Sequence, residues 1–218
     1  MKAKQGLRER KKEQTRLAIS RVGTRMFIER GFDNVTVAQV AEEAQVSVNT
    51  IFNYFATKED LFFDRAEELE EAASRLLRER KKGECVIDAL HRAFRGLMKG
   101  ETGWLQLRGV KPFIATVEAS PALKARTRVI LARAEQRLVR TLIEETGAPP
   151  DDPTARVVAA LVMGLIGMCV QEFQARVLRD EPDAKYRAAL LRMVERGFEL
   201  LKAGVGDYGA AAQAPAPR

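Results

Sequence analysis

The stretch that most constrains this chain runs from Thr36 to Lys58 and reads TVAQVAEEAQVSVNTIFNYFATK. Its apolar residues recur at helical spacing in two short blocks, which are separated by Gln45-Val46-Ser47. The second block carries Asn, Thr, Phe and Tyr, where a solvent-facing helix usually carries Glu and Lys. Two short helices joined by a tight turn form a helix-turn-helix, whose second helix enters the DNA major groove. The stretch therefore predicts a DNA-binding unit.

Three hydroxyl residues mark the starts of successive helices. Thr36 and Gln39 have the T-x-x-Q spacing of a capping box. Ser47 is placed to cap the recognition helix, and Thr57 with Asp60 to cap the helix after it. The recognition helix is expected at about 48–54. An earlier apolar stripe predicts a helix from about residue 12 to residue 30, ended by a glycine at 31.

The recognition helix is expected to bury Ile51 and to turn its polar side outward. Asn49 and Asn53 can each make paired hydrogen bonds to adenine, although either can instead bond only phosphate or water. Phe52 fits either a thymine methyl group or sugar, or a wedge inside the helical core. The hydroxyls and Lys58 are donors suited to phosphate oxygens. The candidate DNA contacts are Thr36, Ser47, Val48, Asn49, Thr50, Phe52, Asn53, Tyr54, Thr57 and Lys58.

Charge supports a polyanionic partner. The chain has a formal net charge of +7, and residues 1–16 hold seven Lys or Arg against two Glu, which gives +5 for that arm. A basic arm beside a DNA-binding unit can follow the DNA backbone or minor groove and makes binding salt-dependent. A solvated, disordered tail is the alternative reading.

Within residues 12–64, RLAISRVGTRMFIERGFDNVTVAQVAEEAQVSVNTIFNYFATKEDLF resembles the amino-terminal DNA-binding domain of the TetR (tetracycline repressor) family. The ERGF turn, TV-x-x-VA-x-x-A, VS-x-x-T and Y-F-x-x-K-E-x-L occur in register. The resemblance implies a homodimeric, all-helical regulator, most often a repressor, which binds a pseudo-palindromic operator and releases it when a small molecule binds. Gln45 and Asn49 depart from the family, which usually has glycine at the first position and often at the second. Gln45 either strains the turn or gives it another geometry.

The middle of the chain is expected to supply long helices at about 58–80, 84–99, 104–118 and 121–146. Pro112 is expected to kink or interrupt the third of them. In the family that the chain resembles, the middle helices enclose the effector cavity, which suggests a small, largely apolar effector. Ordinary core packing is the alternative for each lining residue, and His91 also fits a hydrogen-bonded core histidine. The candidate lining residues are His91, Phe94, Met98, Trp104 and Phe113.

The last two helices are expected to form a dimer interface. Asp152 and Pro153 open one helix, which is apolar on nearly every side from 157 to 170 and is therefore expected to be buried all round. A final helix follows at about 183–202, and two such helices from each subunit make a four-helix interface. The 14-residue apolar run is too short to span a bilayer, which needs about 20 residues. The candidate interface residues are Leu161, Gly164, Leu165, Met168, Leu190, Val194 and Phe198.

The predicted fold class is all-α, with about nine helices. Residues 1–60 are expected to hold the basic arm and the three-helix DNA-binding domain, residues 61–204 an effector-binding and dimerisation domain, and residues 205–218 a disordered tail. We expect double-stranded operator DNA, a second copy of the chain and a small effector as partners, no membrane, no metal or other cofactor, and a cytoplasmic location. A helical scaffold protein, an activator and a regulator without ligand control remain alternatives. One histidine, two separated cysteines and no glycine-rich phosphate loop disfavour an enzyme.

Overall fold

The computed structural model describes residues 6–99 and 110–205, and every regular element within these two ranges is an α-helix, as the sequence predicts. Ten helices follow one another in these two ranges. They are α1 (Leu7–Arg30), α2 (Val37–Glu43), α3 (Val48–Tyr54), α4 (Lys58–Phe62), α5 (Ala66–Arg78), α6 (Val86–Lys99), α7 (Val110–Ala119), α8 (Pro121–Thr146), α9 (Pro153–Leu178) and α10 (Asp183–Val205).

The count is ten in the described residues rather than about nine because the long helix expected at 58–80 is broken after Phe62. Phe63 leaves the helical region, with φ −95° and ψ 53°, and its ring packs edge-on against Phe62. Two α1 side chains hold the next residue. Ser20 Oγ donates to the Asp64 carboxylate at 2.6 Å, and the Arg16 guanidinium donates to the Asp64 carbonyl at 3.0 Å. These long-range contacts, which helical periodicity does not reveal, accompany the break.

Two other helices, α1 and α7, differ from expectation. Helix α1 begins at Leu7, so part of the expected basic arm is helical. Helix α7 contains Pro112 at its third residue, where the missing N–H has no intrahelical partner to lose, so the proline does not break the helix. Trp104 and the start expected for that helix lie outside the described residues, as does the expected tail beyond Val205.

The described chain divides into two compact units. Unit 1 contains the described residues up to Glu67 together with Pro112–Arg128. The boundary predicted from the sequence lies at residue 60, with residues 112–128 in the second domain. Its core is aromatic. Ring centroids of Phe27 and Phe32 lie 5.0 Å apart, those of Phe32 and Phe62 5.9 Å, and those of Phe62 and Phe113 4.4 Å in a stacked pair.

Polar contacts tie the second segment of unit 1 to the first. Arg126 forms an ion pair with Asp60 at 2.5 Å, and the Ser120 hydroxyl donates to the Asp33 carboxylate at 3.1 Å. Both contacts join residues that are far apart in sequence. They explain why the 112–128 segment belongs to this unit.

Unit 2 contains the described residues from Glu68 to Lys111 and from Val129 onward. Helices α6, α9 and α10 share one apolar core, in which α9 and α10 approach closely at Gly197. A methyl group at Gly197 would overlap the side chain of Leu165. Glu70 is almost fully buried and pairs with Arg137 of α8 at 3.3 Å, which compensates for its burial.

Helix α9 is buried on one face only, which corrects the expectation that it is buried all round. Val158 and Val162 are fully buried, whereas Val157, Leu161 and Met168 are 51%, 44% and 57% exposed. Among the described helices α9 alone is long and apolar enough to cross a membrane, a criterion that core helices also meet, and 33% of its most apolar window is buried. Among the described residues of a single chain, no element covers this apolar face of α9.

Candidate nucleic-acid interface

The turn between α2 and α3 is built around a left-handed Gln45. Its φ is 55°, a left-handed conformation that is strained for a residue with a side chain. Of the two alternatives for Gln45, strain in the turn is therefore the one that the structure supports. The Gln45 N–H donates to the Glu42 carbonyl at 3.0 Å, and the Val46 N–H donates to the Ala41 carbonyl at 2.9 Å. These two bonds form a Schellman motif, which satisfies carbonyls at the end of α2 that otherwise lack partners. The motif ends α2 and redirects the chain into α3.

Side-chain caps start each of the three short helices, as predicted. Thr36 and Gln39 form a complete capping box, and so do Thr57 and Asp60. The Ser47 hydroxyl accepts a hydrogen bond from the Thr50 N–H at 3.0 Å. A cap contributes about 1 kcal/mol, which is a large share of the stability of a helix of seven residues. The caps therefore determine where α3 begins and which residues it presents.

Two apolar residues anchor α3 to the rest of unit 1. Ile51 is 1% exposed and Phe55, the residue that ends α3, is 3% exposed. Because they fill the inner side of the helix, they hold the opposite side toward solvent. This agrees with the predicted inner face.

The solvent side of α3 carries two amides and an aromatic ring but no charge. Asn49 and Asn53 are exposed and lie four residues apart, so they share one face of the helix. Phe52 is 50% exposed and Val48 is 37% exposed, which excludes the alternative that Phe52 is a core wedge. This face combines hydrogen-bonding groups suited to base edges with apolar groups suited to a thymine methyl group.

The predicted phosphate donors separate into two groups. Thr36, Ser47 and Thr57 are exposed at helix starts, and Thr50 and Tyr54 are half-buried beside the solvent face of α3. A capping hydroxyl accepts one bond and still has a hydrogen to donate. In Thr36 that hydrogen is directed at Gln39 Oε1, at 3.2 Å, and Ser47 and Thr50 share a hydroxyl–hydroxyl bond of 2.8 Å. Thr36 therefore has to exchange partners to donate to phosphate, whereas one hydroxyl of the Ser47–Thr50 pair keeps a hydrogen that is free to donate.

Lys58 contacts other residues of unit 1, and its assignment as a phosphate donor stays a prediction. Its Nζ donates to the Phe32 carbonyl at 2.6 Å and lies 4.2 Å from the centroid of the Phe32 ring. Burial lowers the pKa of this ammonium, although Asp33 and Glu59 partly oppose the effect. Lys58 joins the start of α4 to the loop before α2. The sequence signal for this role is its position directly after a helix cap, beside core aromatics.

The candidate effector residues do not form one group in the structure. His91, Phe94 and Met98 belong to unit 2, Phe113 belongs to unit 1, and Trp104 lies outside the described residues. Phe113 stacks on Phe62 in the core of unit 1.

His91 packs as a core histidine. Its ring stacks on Phe198 with centroids 5.0 Å apart, and its Nε2 lies 2.8 Å from the Glu195 carboxylate. Glu195 also pairs with Arg95 at 3.2 Å. The hydrogen-bonded core alternative for His91 is therefore the one that fits the geometry.

The candidate interface residues also divide. Leu161, Gly164 and Met168 are exposed on the same face of α9. The other four have at most 9% of their surface exposed and pack inside a single chain, so they cannot form the contact surface directly. The sequence pattern identifies them as apolar and helical but does not tell which side faces the core. They are Leu165, Leu190, Val194 and Phe198.

Comparisons with known proteins agree with this geometry. The sequence model described as "Bacterial regulatory proteins, tetR family" matches residues 19–64. The chain is 32% identical over 152 residues to the HTH-type transcriptional regulator TcmR of Streptomyces glaucescens, and the alignment covers 67% of each chain.

Solved structures support the same fold at lower identity. The secondary repressor NalD of Pseudomonas aeruginosa has a TM-score of 0.52 at 18% identity, with 85% of this chain and 97% of NalD covered. The regulator FadR of Bacillus subtilis, solved with stearoyl-CoA, has a TM-score of 0.50 at 21% identity, with 86% of this chain and 98% of FadR covered. These similarities concern the arrangement of the helices.

Proposed function

This chain belongs to the tetR family of bacterial regulatory proteins and is a DNA-binding transcriptional regulator, and we propose that it is a homodimeric repressor. Its operator is a pseudo-palindromic duplex, and a small, largely apolar effector bound in unit 2 releases it. The protein acts in the cytoplasm, where that duplex lies. Unit 1 recognises DNA, and unit 2 dimerises and binds the effector.

The observation that carries the DNA-binding proposal is the solvent face of α3. Asn49, Phe52 and Asn53 form an exposed, uncharged surface on a helix whose start, end and inner side are all held by named contacts. Amides on a fixed helix can discriminate adenine from other bases, at about 1–3 kcal/mol for each paired contact. A solvated surface helix needs no such group of side chains.

The exposed face of α9 supports a dimer. Leu161 and Met168 leave about half of their surface in water, and an added Cβ at Gly164 or Gly167 meets no atom of the described residues within 4 Å. A second copy of this face can approach closely at the two glycines and cover the apolar side chains. Burial of such area is favourable by about 25 cal/mol per Å².

A scaffold protein and an activator, the two alternatives to a repressor, differ in which exposed faces they use. A scaffold protein uses the α9 face but has no use for the α3 face, and an activator uses both. Phe94 and Met98 belong to the apolar core of unit 2 and offer no partner for a charged ligand, which supports an apolar effector. The solved relative with stearoyl-CoA makes that compound a reasonable first probe.

The DNA-binding proposal is tested by selecting duplexes from a random-sequence pool with the full chain and then measuring binding by fluorescence anisotropy. Asn53→Ala is expected to weaken the selected duplex about 10-fold or more while leaving non-specific duplex nearly unchanged. Gln136→Ala removes an exposed amide from α8 and serves as the matched control. Equal losses on both duplexes reduce Asn53 to a backbone contact.

The effector proposal is tested by thermal shift against a panel of apolar molecules, with stearoyl-CoA as an additional probe that joins an apolar acyl chain to a charged coenzyme A group. A compound that binds in unit 2 is expected to raise Tm and to weaken the selected duplex by the same linkage. A compound that raises Tm without changing the affinity for the selected duplex contradicts effector-driven release of DNA and leaves the DNA-binding proposal intact.

A further inference from the structure

The first turns of α1 are a basic helix that precedes the DNA-binding core. Helix α1 starts at Leu7, whereas the family model begins to match at residue 19. Between them the chain carries Arg8, Arg10, Lys11, Lys12 and Arg16 against Glu9 and Glu13, so five positive charges minus two negative charges give +3. Arg8, Arg10, Lys11 and Lys12 are exposed.

Three of these cations continue the face of α1 that packs against the rest of unit 1. At 100° per residue, Arg8, Lys12 and Arg16 recur at i, i+4 and i+8 on one side of the helix. Ile19, Gly23 and Met26 occupy the same side further along and are buried. The inward face of α1 therefore changes from apolar to basic where the packed core ends.

Arg16 shows what this face is directed toward. Its guanidinium donates to the Asp64 carbonyl at 3.0 Å, and its Cζ lies 5.9 Å from the centroid of the Phe55 ring. Phe55 is the residue at which α3 ends. With a rise of about 1.5 Å per residue, Lys12 lies about 6 Å and Arg8 about 12 Å further along α1. The basic face thus extends outward from beside the end of the recognition helix.

We propose that residues 8–12 of α1 are a second, helical DNA-contact element, in which Arg8 and Lys12 bind phosphates of the duplex beside the groove that α3 enters. This proposal depends on the proposed DNA-binding function and adds a fixed element to it. Because the element is a helix that continues from the packed core, its cations are held in place before DNA binds. A flexible arm with the same charge has to be ordered on binding.

The charge test compares two double variants that remove equal charge from opposite sides of α1. R8Q/K12Q removes the proposed contacts, and R10Q/R21Q removes two exposed cations from the outer side. Affinity of each full-length variant for the duplex selected by the wild type is measured by anisotropy across a series of NaCl concentrations. R8Q/K12Q is expected to reduce the slope of log affinity against log salt by about 2 for each bound copy. R10Q/R21Q is expected to change it by less than half as much.

The outcomes are separable. Equal slope changes for the two double variants overturn the proposal, because they show general electrostatic attraction instead of placed contacts. A wild type that selects no duplex contradicts the proposed function itself. A third variant, Gln14→Pro, breaks the helix between the cations and the core without changing charge. It is expected to lower affinity as R8Q/K12Q does, and unchanged binding by Q14P overturns the helical placement.

Discussion

The solvent face of α3 and the exposed face of α9 both carry apolar atoms, but they differ in the chemistry of the partner that each can bind. The α3 face mixes Phe52 with Asn49 and Asn53, whose amides need hydrogen-bonding partners. The α9 face presents Val157, Leu161 and Met168, which gain only by leaving water. The first therefore suits a polar partner with methyl groups, such as a duplex, and the second suits a copy of itself. The difference shows that exposure alone does not identify a site, whereas the chemistry of the exposed groups does.

The largest effect is expected from a charge placed on the α9 face. Leu161→Glu is expected to lower dimer affinity by at least 100-fold, because the carboxylate is desolvated without a partner in the interface. Sedimentation at micromolar concentration measures the loss. Leu69→Glu, which changes a 40% exposed leucine of α5, is the control and is expected to leave the dimer unchanged. A variant L161E that remains dimeric contradicts the interface.

A glycine pair sharpens the contrast between the two sides of α9. Gly197→Ala is expected to destabilise unit 2 by about 1–3 kcal/mol, since the added methyl group overlaps Leu165. Gly164→Ala meets nothing within 4 Å in the single chain and is expected to leave the stability of the fold unchanged or slightly raised. Urea unfolding separates the two effects when it is run at a protein concentration below that of dimerisation. Similar losses in both variants contradict the assignment of an open face at Gly164.

The smallest expected effect compares the turns at which α2 and α9 end. Gln45 and Asp180 both have a φ of 55°. Gln45→Gly is expected to raise stability by about 1 kcal/mol, because glycine adopts this conformation without strain. Asp180→Gly is expected to gain less, since Asp tolerates the left-handed region and the substitution removes its ion pair with Lys111. Thermal unfolding measures both changes, and Gln45→Ala is the control that keeps a side chain at the strained position.

Local features of this fold were predictable, and long-range ones were not. The capping boxes at Thr36 and Thr57 and the cap at Ser47 depend on hydrogen bonds across three residues, so the sequence pattern is sufficient to predict them. The inward turn of Lys58 depends on Phe32, 26 residues away. The break at Phe63 accompanies contacts from α1, and the burial of Leu190, Val194 and Phe198 depends on how α10 packs in unit 2.

The candidate DNA site was likewise predicted in part. The prediction that Ile51 is buried also predicts that Asn49, Phe52 and Asn53 face solvent, because the geometry of a helix fixes the two faces relative to each other. The basic arm was recognised by its charge. Its helical start at Leu7 and its direction past Phe55 required the structure, since charge patterning alone does not distinguish a solvated tail from a helix.

Helices α2, α3 and α4 contain only seven, seven and five residues, which is too short for any of them to persist alone in water. Their backbone amides are therefore expected to exchange with solvent deuterium through a shared opening of unit 1, at similar protection, instead of fraying one helix at a time. The candidate DNA-contact surface that these three helices carry is therefore either present as a whole or absent. Measured occupancy of DNA by this chain consequently counts the fraction of molecules in which unit 1 is closed.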